Sequence, residues 1–283
     1  MLSALIRTAR PKQWLKNVLV FAAPGAAGVL DEWPEFGLTL LAFASFCLAA
    51  SGIYVWNDLL DVEADRRHPT KCRRPIAAGE LSIGAARVAG VVLPVLSLVL
   101  AGLTGRWQTV AVVAVYIVTT IAYTVRLKHV AVVDLVTVAS GFVLRAAAGA
   151  VAVDVPMSRW FVLCITFGSL FIVVGKRYAE LNELGNAAGT RSTLEVYSVG
   201  YLRIMLAVSL GGVLISYCVW AFETAELSTS DWPFYELSIV PMLMALMRYL
   251  LVPVSYTHLR AHETSLPISY AVLCLKMGGG GGG

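Results

Sequence analysis

Apolar residues arrive along this chain in eight blocks, at about 14–30, 36–57, 83–104, 107–126, 131–152, 159–176, 199–222 and 236–252. Each approaches the roughly 20 apolar residues needed to cross a bilayer. In hydrocarbon a helix satisfies its own backbone polar groups, so blocks of this length predict spanning helices. The pattern therefore predicts an all-α fold, a polytopic membrane helix bundle. Turns such as Gly105–Arg106 and Asp154–Ser158 join most blocks. Two connections, 58–82 and 177–198, are long and polar, and a third, 223–235, is acidic.

Lys and Arg orient the bundle, because cytoplasmic loops collect them. With the N-terminus inside and the blocks alternating, the inner segments hold Arg7, Arg10, Lys12, Lys16, Arg66, Arg67, Lys71, Arg73, Arg74, Arg126, Lys128, Lys176, Arg177, Arg191, Arg203 and Arg248. The outer turns hold Arg106 and Arg159. Both long polar loops then face the cytoplasm, so a plasma-membrane protein with its chemistry on the cytoplasmic side is expected.

Composition agrees. The chain is 58% hydrophobic and 14% charged, against about 45–50% and about 25% in soluble domains, and its mean hydropathy is +0.74. A net charge of +4 gives no footprint for nucleic acid. The five cysteines are scattered without a CxxC pair, so neither a disulfide framework nor a zinc site is expected. No small-residue cleavage site follows the first block, which reads as a span and not as a removable signal. Regular hydropathy stops near Val252. In 253–283, Val254–Leu259 resembles a translated sequencing adapter, and six glycines close the chain. Residues 1–252 are thus expected to form the transmembrane domain, with one further span missing and 253–283 a non-native tail.

The candidate chemistry sits at the end of the second block, which reads Asn57-Asp58-Leu59-Leu60-Asp61-Val62-Glu63-Ala64-Asp65. If one helix continues through it, Asp58, Asp61 and Asp65 share one stripe, which Asn57 and Tyr54 extend inward. Carboxylates clustered at a bilayer boundary persist when a cation neutralises them. Oxygen ligands without His or Cys indicate a hard ion, Mg²⁺. Downstream, Arg66, Arg67, Lys71, Arg73 and Arg74 suit a polyanion bridged to that metal; positive-inside bias alone also accounts for Arg66 and Arg67. His68, beside Pro69, reads as a loop residue. Arg145 lies within the fifth block, three helical turns beyond Asp134. A cation at that depth either faces a cavity or anion or pairs with a neighbouring helix. Lys12 and Lys16 either snorkel to headgroups or turn inward to phosphate.

Residues 57–65 match the NDxxDxxxD motif of the UbiA superfamily of intramembrane prenyltransferases, and 1–252 is identified as resembling that superfamily throughout. More narrowly, the stretches 10–24, 54–79, 123–152 and 175–181 resemble its decaprenyl-phosphate phosphoribosyltransferase subfamily. The resemblance implies a nine-helix bundle and a Mg²⁺-dependent transfer. Phosphoribosyl would move from 5-phosphoribosyl 1-diphosphate to a polyprenyl (decaprenyl) phosphate, for cell-wall arabinan precursors. It implies Asn57, Asp58, Asp61 and Asp65 as metal ligands, with Asp58, Asp61 and Lys71 catalytic. Lys71, Arg74 and Lys128 would clamp donor phosphates, and Tyr54 would bond the donor. Lys12, Lys16, Arg145, Lys176 and Arg177 would meet the remaining phosphates, and Asp134 would belong to the substrate site. Two departures stand out. Asp134 is followed four residues on by Val138, so no second paired acidic motif forms there, and Cys72 stands where the subfamily more often has a cation.

Two other readings remain open. One is transfer of a polyprenyl group from its diphosphate to an aromatic or lipid acceptor; the other is a transporter. Charges concentrated at one face argue against the transporter. An oligomer is compatible with all three.

Overall fold

The computed structural model describes residues 1–184, 196–228 and 232–255. Its elements are helices α1 (Leu2–Ala9), a 3₁₀ run (Pro11–Phe21), α2 (Ala22–Ala26), α3 (Trp33–Leu60), α4 (Val62–Arg67), α5 (Ile83–Gly102), α6 (Trp107–Val125), α7 (Val133–Ala152), α8 (Arg159–Leu184), α9 (Val199–Leu227), α10 (Phe234–Leu237) and α11 (Ile239–Ser255). Among the described residues, seven helices are long and apolar enough to cross a membrane, α10 and α11 counting as one. The protein is a multi-pass membrane bundle. The residues of the expected tail lie outside the described ones from 256 onward, and α11 continues to Ser255, past the boundary drawn at Val252.

The first apolar block departs from expectation. It forms no single α-helix: Pro11 opens a 3₁₀ run of 11 residues, and α2 with Pro24 and Gly25 follows before a turn at Gly28 (φ 71°). The segment still traverses the bundle. A 3₁₀ helix rises about 2.0 Å per residue, so the run extends roughly 22 Å, and α2 adds roughly 7 Å. Its ends confirm the path antiparallel to α3. Arg10 reaches Asp58 at one end of α3, and the Phe21 ring lies 5.6 Å from Phe43 and 6.2 Å from Phe36 toward the other.

Without a hydrophobic drive between helices in lipid, close packing needs small residues. Two glycines do this work. A Cβ on Gly52 would stand 2.5 Å from Pro94, which lets α3 lie along α5. A Cβ on Gly149 would overlap the Val20 carbonyl oxygen, so α7 touches the backbone of the 3₁₀ run. One core gathers Phe46, Ile53, Val113 and Tyr116 from α3 and α6. Another joins Phe171, Leu206, Tyr217 and Met242 from α8, α9 and α11. Helix α7 contributes to both, with Ala148 in the first and Phe142 in the second. Val91, Val95 and Val99 on α5 and Val115 and Val118 on α6 are exposed, as lipid-facing residues should be.

At the end opposite the acidic motif, Arg106 and Asp154 pair at 2.8 Å and tie the α5–α6 turn to the α7–α8 turn. At the motif end, α1 rests on the loop after α4 through Ala4, Ile76 and Leu81, and Arg7 pairs with Glu80.

Replacing Gly149 by Ala sets a methyl against the Val20 carbonyl oxygen, so the backbone of the 3₁₀ run has to shift. Overpacking of this kind costs about 1–3 kcal/mol. Thermal unfolding of the detergent-solubilised variant checks it, with a clear fall in unfolding temperature as the expected outcome.

Candidate functional site

Helix α3 stops at Leu60, and Asp61 (φ −93°, ψ 5°) joins it to α4. The expected single stripe is therefore not formed. Asp58 and Asp65 turn inward and are 2% exposed, whereas Asp61 faces outward at the break. Among the described residues, no three His, Cys, Asp or Glu side chains stand close enough together to hold an ion. Helix α4 restarts with Glu63 and Asp65 in its first turn and ends with Arg66 and Arg67, the order that complements a helix dipole.

Two guanidiniums neutralise the inward pair. Arg74 Nη1 lies 3.1 Å from Asp58 Oδ1 and 2.7 Å from Asp65 Oδ2, bridging the two. The loop folds back to place it because Pro75 and Ile76 are buried. Arg10 Nη2 lies 2.6 Å from the same Asp58 oxygen, and its guanidinium sits 5.1 Å over the Tyr54 ring. Arg10 occupies a left-handed junction (φ 54°) between α1 and the 3₁₀ run. Asn57 accepts a bond of 2.8 Å from Thr124 of α6. Lys71 is exposed on the loop, and His68 is a turn residue whose Nδ1 accepts the Thr70 N–H at 3.2 Å.

Behind the acidic pair the interior is cationic. Arg145 lies on α7 roughly 18 Å from the helix start and is 7% exposed. Its Nε donates to Asn17 Oδ1 (2.8 Å), Nη1 to the Gly141 carbonyl (2.5 Å) and Nη2 to the Tyr116 hydroxyl (2.9 Å). The rings of Tyr116, Phe142 and Phe46 stand 4.8, 5.5 and 5.8 Å from its guanidinium. Among the described residues it has no carboxylate partner at ion-pair distance. Half-buried Lys16 stands in the field of Lys176, Arg145 and Arg10, and Tyr54 in that of Arg145 and Arg10. Next to Phe142 opens an apolar cavity of about 100 Å³ between α7, α8, α9 and α11, lined by Leu19, Phe171, Trp220, Met242 and Tyr249.

The chain matches the model of the UbiA prenyltransferase family over residues 18–263. The chain belongs to the UbiA prenyltransferase family. The decaprenyl-phosphate phosphoribosyltransferase of Corynebacterium glutamicum is 45% identical over 249 residues, covering 87% of this chain and 75% of that protein. The enzyme of the same name from Mycolicibacterium smegmatis is 44% identical over 264 residues, covering 88% of this chain and 81% of that one. A UbiA homologue from Archaeoglobus fulgidus, solved with GPP and Mg²⁺, superposes with a TM-score of 0.77 at 16% identity over 97% of this chain and 98% of that one. This UbiA-family protein is an intramembrane enzyme of the transferase class.

Within the UbiA-family bundle, Asp134 and Arg177 turn out to be each other's partners. Arg177 Nε lies 3.2 Å from Asp134 Oδ2, its Nη1 2.8 Å from Glu180, and its Nη2 3.4 Å from the Tyr123 hydroxyl. Tyr197 donates to Asp134 Oδ1 at 2.6 Å and accepts the N–H of Val132, itself at φ 68°. Burial, and then the bond to Asp134, push the Tyr197 phenol above its ordinary value, so it remains a donor at physiological pH. Lys12 and Lys176 are exposed, and Lys128 is half-buried in the turn after α6.

Sequence reasoning overlooked Arg10, Asn17, Tyr116 and Tyr197 as site-forming residues. Asn17 and Tyr116 were visible as polar groups inside apolar blocks, where a polar group needs a partner. Arg10 was hidden among the inside cations, and nothing local marked Tyr197.

Arg177→Met leaves Asp134 buried without its cation. Breaking a buried pair on one side costs roughly 3–5 kcal/mol. A large fall in unfolding temperature is the expected outcome, and an unchanged one would show that Arg177 is free of a structural duty.

Proposed function

We propose that this protein transfers the 5-phosphoribosyl group of 5-phosphoribosyl 1-diphosphate to a polyprenyl phosphate, decaprenyl phosphate, releasing diphosphate at the cytoplasmic face of the plasma membrane. The product would feed cell-wall arabinan synthesis. One observation carries the reading: a cationic interior around Arg145 and Lys16, short of anions, lies directly behind two buried aspartates and beside an apolar cavity. That is the charge pattern for a phosphate-bearing donor and a lipid phosphate meeting at one place. The relatives named decaprenyl-phosphate phosphoribosyltransferase support the substrate pair.

Mg²⁺ fits the oxygen-only donor set, and Asp58 and Asp65 already share one positive charge between them in the form of Arg74. Asn57, Asp58 and Asp65 would hold the ion together with the donor's phosphate oxygens, and Asp61, which faces outward at the break, would have to turn inward to join them. The ion when bound lowers the energy of the charge that develops on a leaving diphosphate. Lys71, Arg74 and Lys128 take the donor's phosphate oxygens, and Tyr54 bonds the donor. Lys12, Lys16, Lys176 and Arg145 hold the acceptor phosphate and keep its nucleophilic oxygen toward the anomeric carbon. Arg145 is oriented for this by Asn17 and Tyr116. The apolar cavity beside Phe142 receives the first part of the isoprenoid chain, the rest of which lies in lipid. No protein general base is needed, because a phosphate monoester is already anionic. Asp134 and Arg177 act as the strut that fixes α7 against α8.

The test supplies membranes containing the full chain with labelled 5-phosphoribosyl 1-diphosphate and decaprenyl phosphate. Mg²⁺-dependent label in the lipid fraction is expected, abolished by a chelator and restored by Mg²⁺. Asp58→Asn and Asp61→Asn each lower turnover by more than the roughly 10–100-fold typical of outer-shell contacts. A lipid fraction without label, together with transfer from a polyprenyl diphosphate to an aromatic acceptor, would replace this reading with prenyl transfer.

A further inference from the structure

Asp58 and Asp65 carry two guanidiniums between them, and the four charges cancel. A divalent cation that takes these carboxylate oxygens has to displace Arg74 from both and Arg10 from Asp58. If it arrives alone, two guanidiniums lose their carboxylates beside a doubly charged ion, in a place where unpaired charge is expensive. If it arrives together with a diphosphate, the guanidiniums gain phosphate oxygens, which they bind at least as well as carboxylates.

Both arginines are placed to make that exchange. Neither projects from the middle of a long helix. Arg10 sits at the left-handed junction that ends α1, and Arg74 follows the single 3₁₀ turn Lys71–Arg73. Their side chains are 32% and 27% exposed, so each reaches solvent at one edge while its tip is held by a carboxylate 2% exposed. On the interior side, Arg10 stands over Tyr54 and in the field that also contains Lys16 and Arg145. A guanidinium leaving Asp58 in that direction moves toward the like charges of Lys16 and Arg145 unless an anion is there.

We propose that Arg10 and Arg74 are exchange counter-ions, held on Asp58 and Asp65 and passed to diphosphate oxygens as metal and diphosphate bind together. The site then takes up the metal–diphosphate complex in preference to either component. The exchange rests on the metal–diphosphate reading given under the proposed function and adds Arg10 to that site as a diphosphate-binding residue. Coupling of this kind is reciprocal: metal strengthens diphosphate binding by the same factor as diphosphate strengthens metal binding.

The experiment uses the full chain in lipid nanodiscs and two equilibrium-dialysis measurements, Mn²⁺ alone and labelled inorganic diphosphate with and without saturating Mn²⁺. In the unmodified protein, Mn²⁺ strengthens diphosphate binding by about tenfold or more, within the range usual for coupled sites. Arg74→Gln moves the two affinities in opposite directions: Mn²⁺ alone binds about tenfold tighter, and diphosphate in the presence of Mn²⁺ binds about tenfold weaker. Arg10→Gln shows the same pair of signs. If Arg74→Gln does not fold, Arg74→Lys carries the test, since it keeps the charge but lacks the planar fork of donors that matches phosphate oxygens; smaller shifts of the same opposite signs are expected. A purely structural role moves both affinities in one direction, and that result overturns the exchange, as does an unchanged affinity for Mn²⁺ alone. Binding of both components without coupling overturns the exchange and leaves the metal–diphosphate reading intact. Failure to bind Mn²⁺ or diphosphate, singly or together, overturns that reading as well.

Discussion

Arg145 sits roughly 18 Å along α7 with an amide, a carbonyl, a hydroxyl and three aromatic rings around it and no carboxylate at ion-pair distance among the described residues. A charge so placed in a membrane bundle persists only if its donors are occupied and its field is useful. Three of its five N–H donors are engaged by neutral acceptors. That arrangement satisfies hydrogen bonding without cancelling charge. The interior consequently stays positive, and Lys16 and Lys176 add to it.

The rest of the bundle follows from holding that charge in place. Asn17, which accepts from Arg145, must come from an element close enough to α7 for an amide to reach, and Gly149 allows that approach by leaving room for the Val20 carbonyl. The 3₁₀ geometry of Pro11–Phe21 stretches few residues over the height of the bundle, so that one segment delivers Arg10 to Asp58 and Asn17 to Arg145. The opposite charges at the motif end are handled differently. Asp134 is fully buried and paired with Arg177 inside a closed network with Tyr197 and Glu180. Asp58 and Asp65 are paired with arginines whose side chains reach the edge. The first arrangement suits a strut and the second an exchangeable site.

Tyr123 and Tyr197 show how the strut is completed from far along the chain. They stand on the end of α6 and before α9, yet both direct hydroxyls at the Asp134–Arg177 pair. Tyr197 also accepts the N–H of Val132, whose left-handed backbone leaves that group outside the helix ladder. The start of α7 is thereby anchored on both sides, and Arg145 further along the same rigid helix inherits the placement.

The sequence alone determined the class of fold. Hydropathy reports transfer into lipid residue by residue, so seven of the eight apolar blocks appear as spanning helices with edges close to those read from the chain. It also singled out the aspartates at 57–65 and the depth of Arg145, because charge within apolar text is conspicuous without a structure. The tertiary structure decided the partners. That α3 breaks at Asp61, that Arg177 pairs with Asp134, and that Arg10 closes on Asp58 became visible only in three dimensions, the last two through contacts 43 and 48 positions apart. Proline and glycine placement in the first block was legible, but its outcome as a 3₁₀ run was not. The run packs its Val20 carbonyl against Gly149, on a helix more than a hundred residues downstream. Local pattern encodes solvent preference; pairing energy between distant charges exists only once the chain has brought them together.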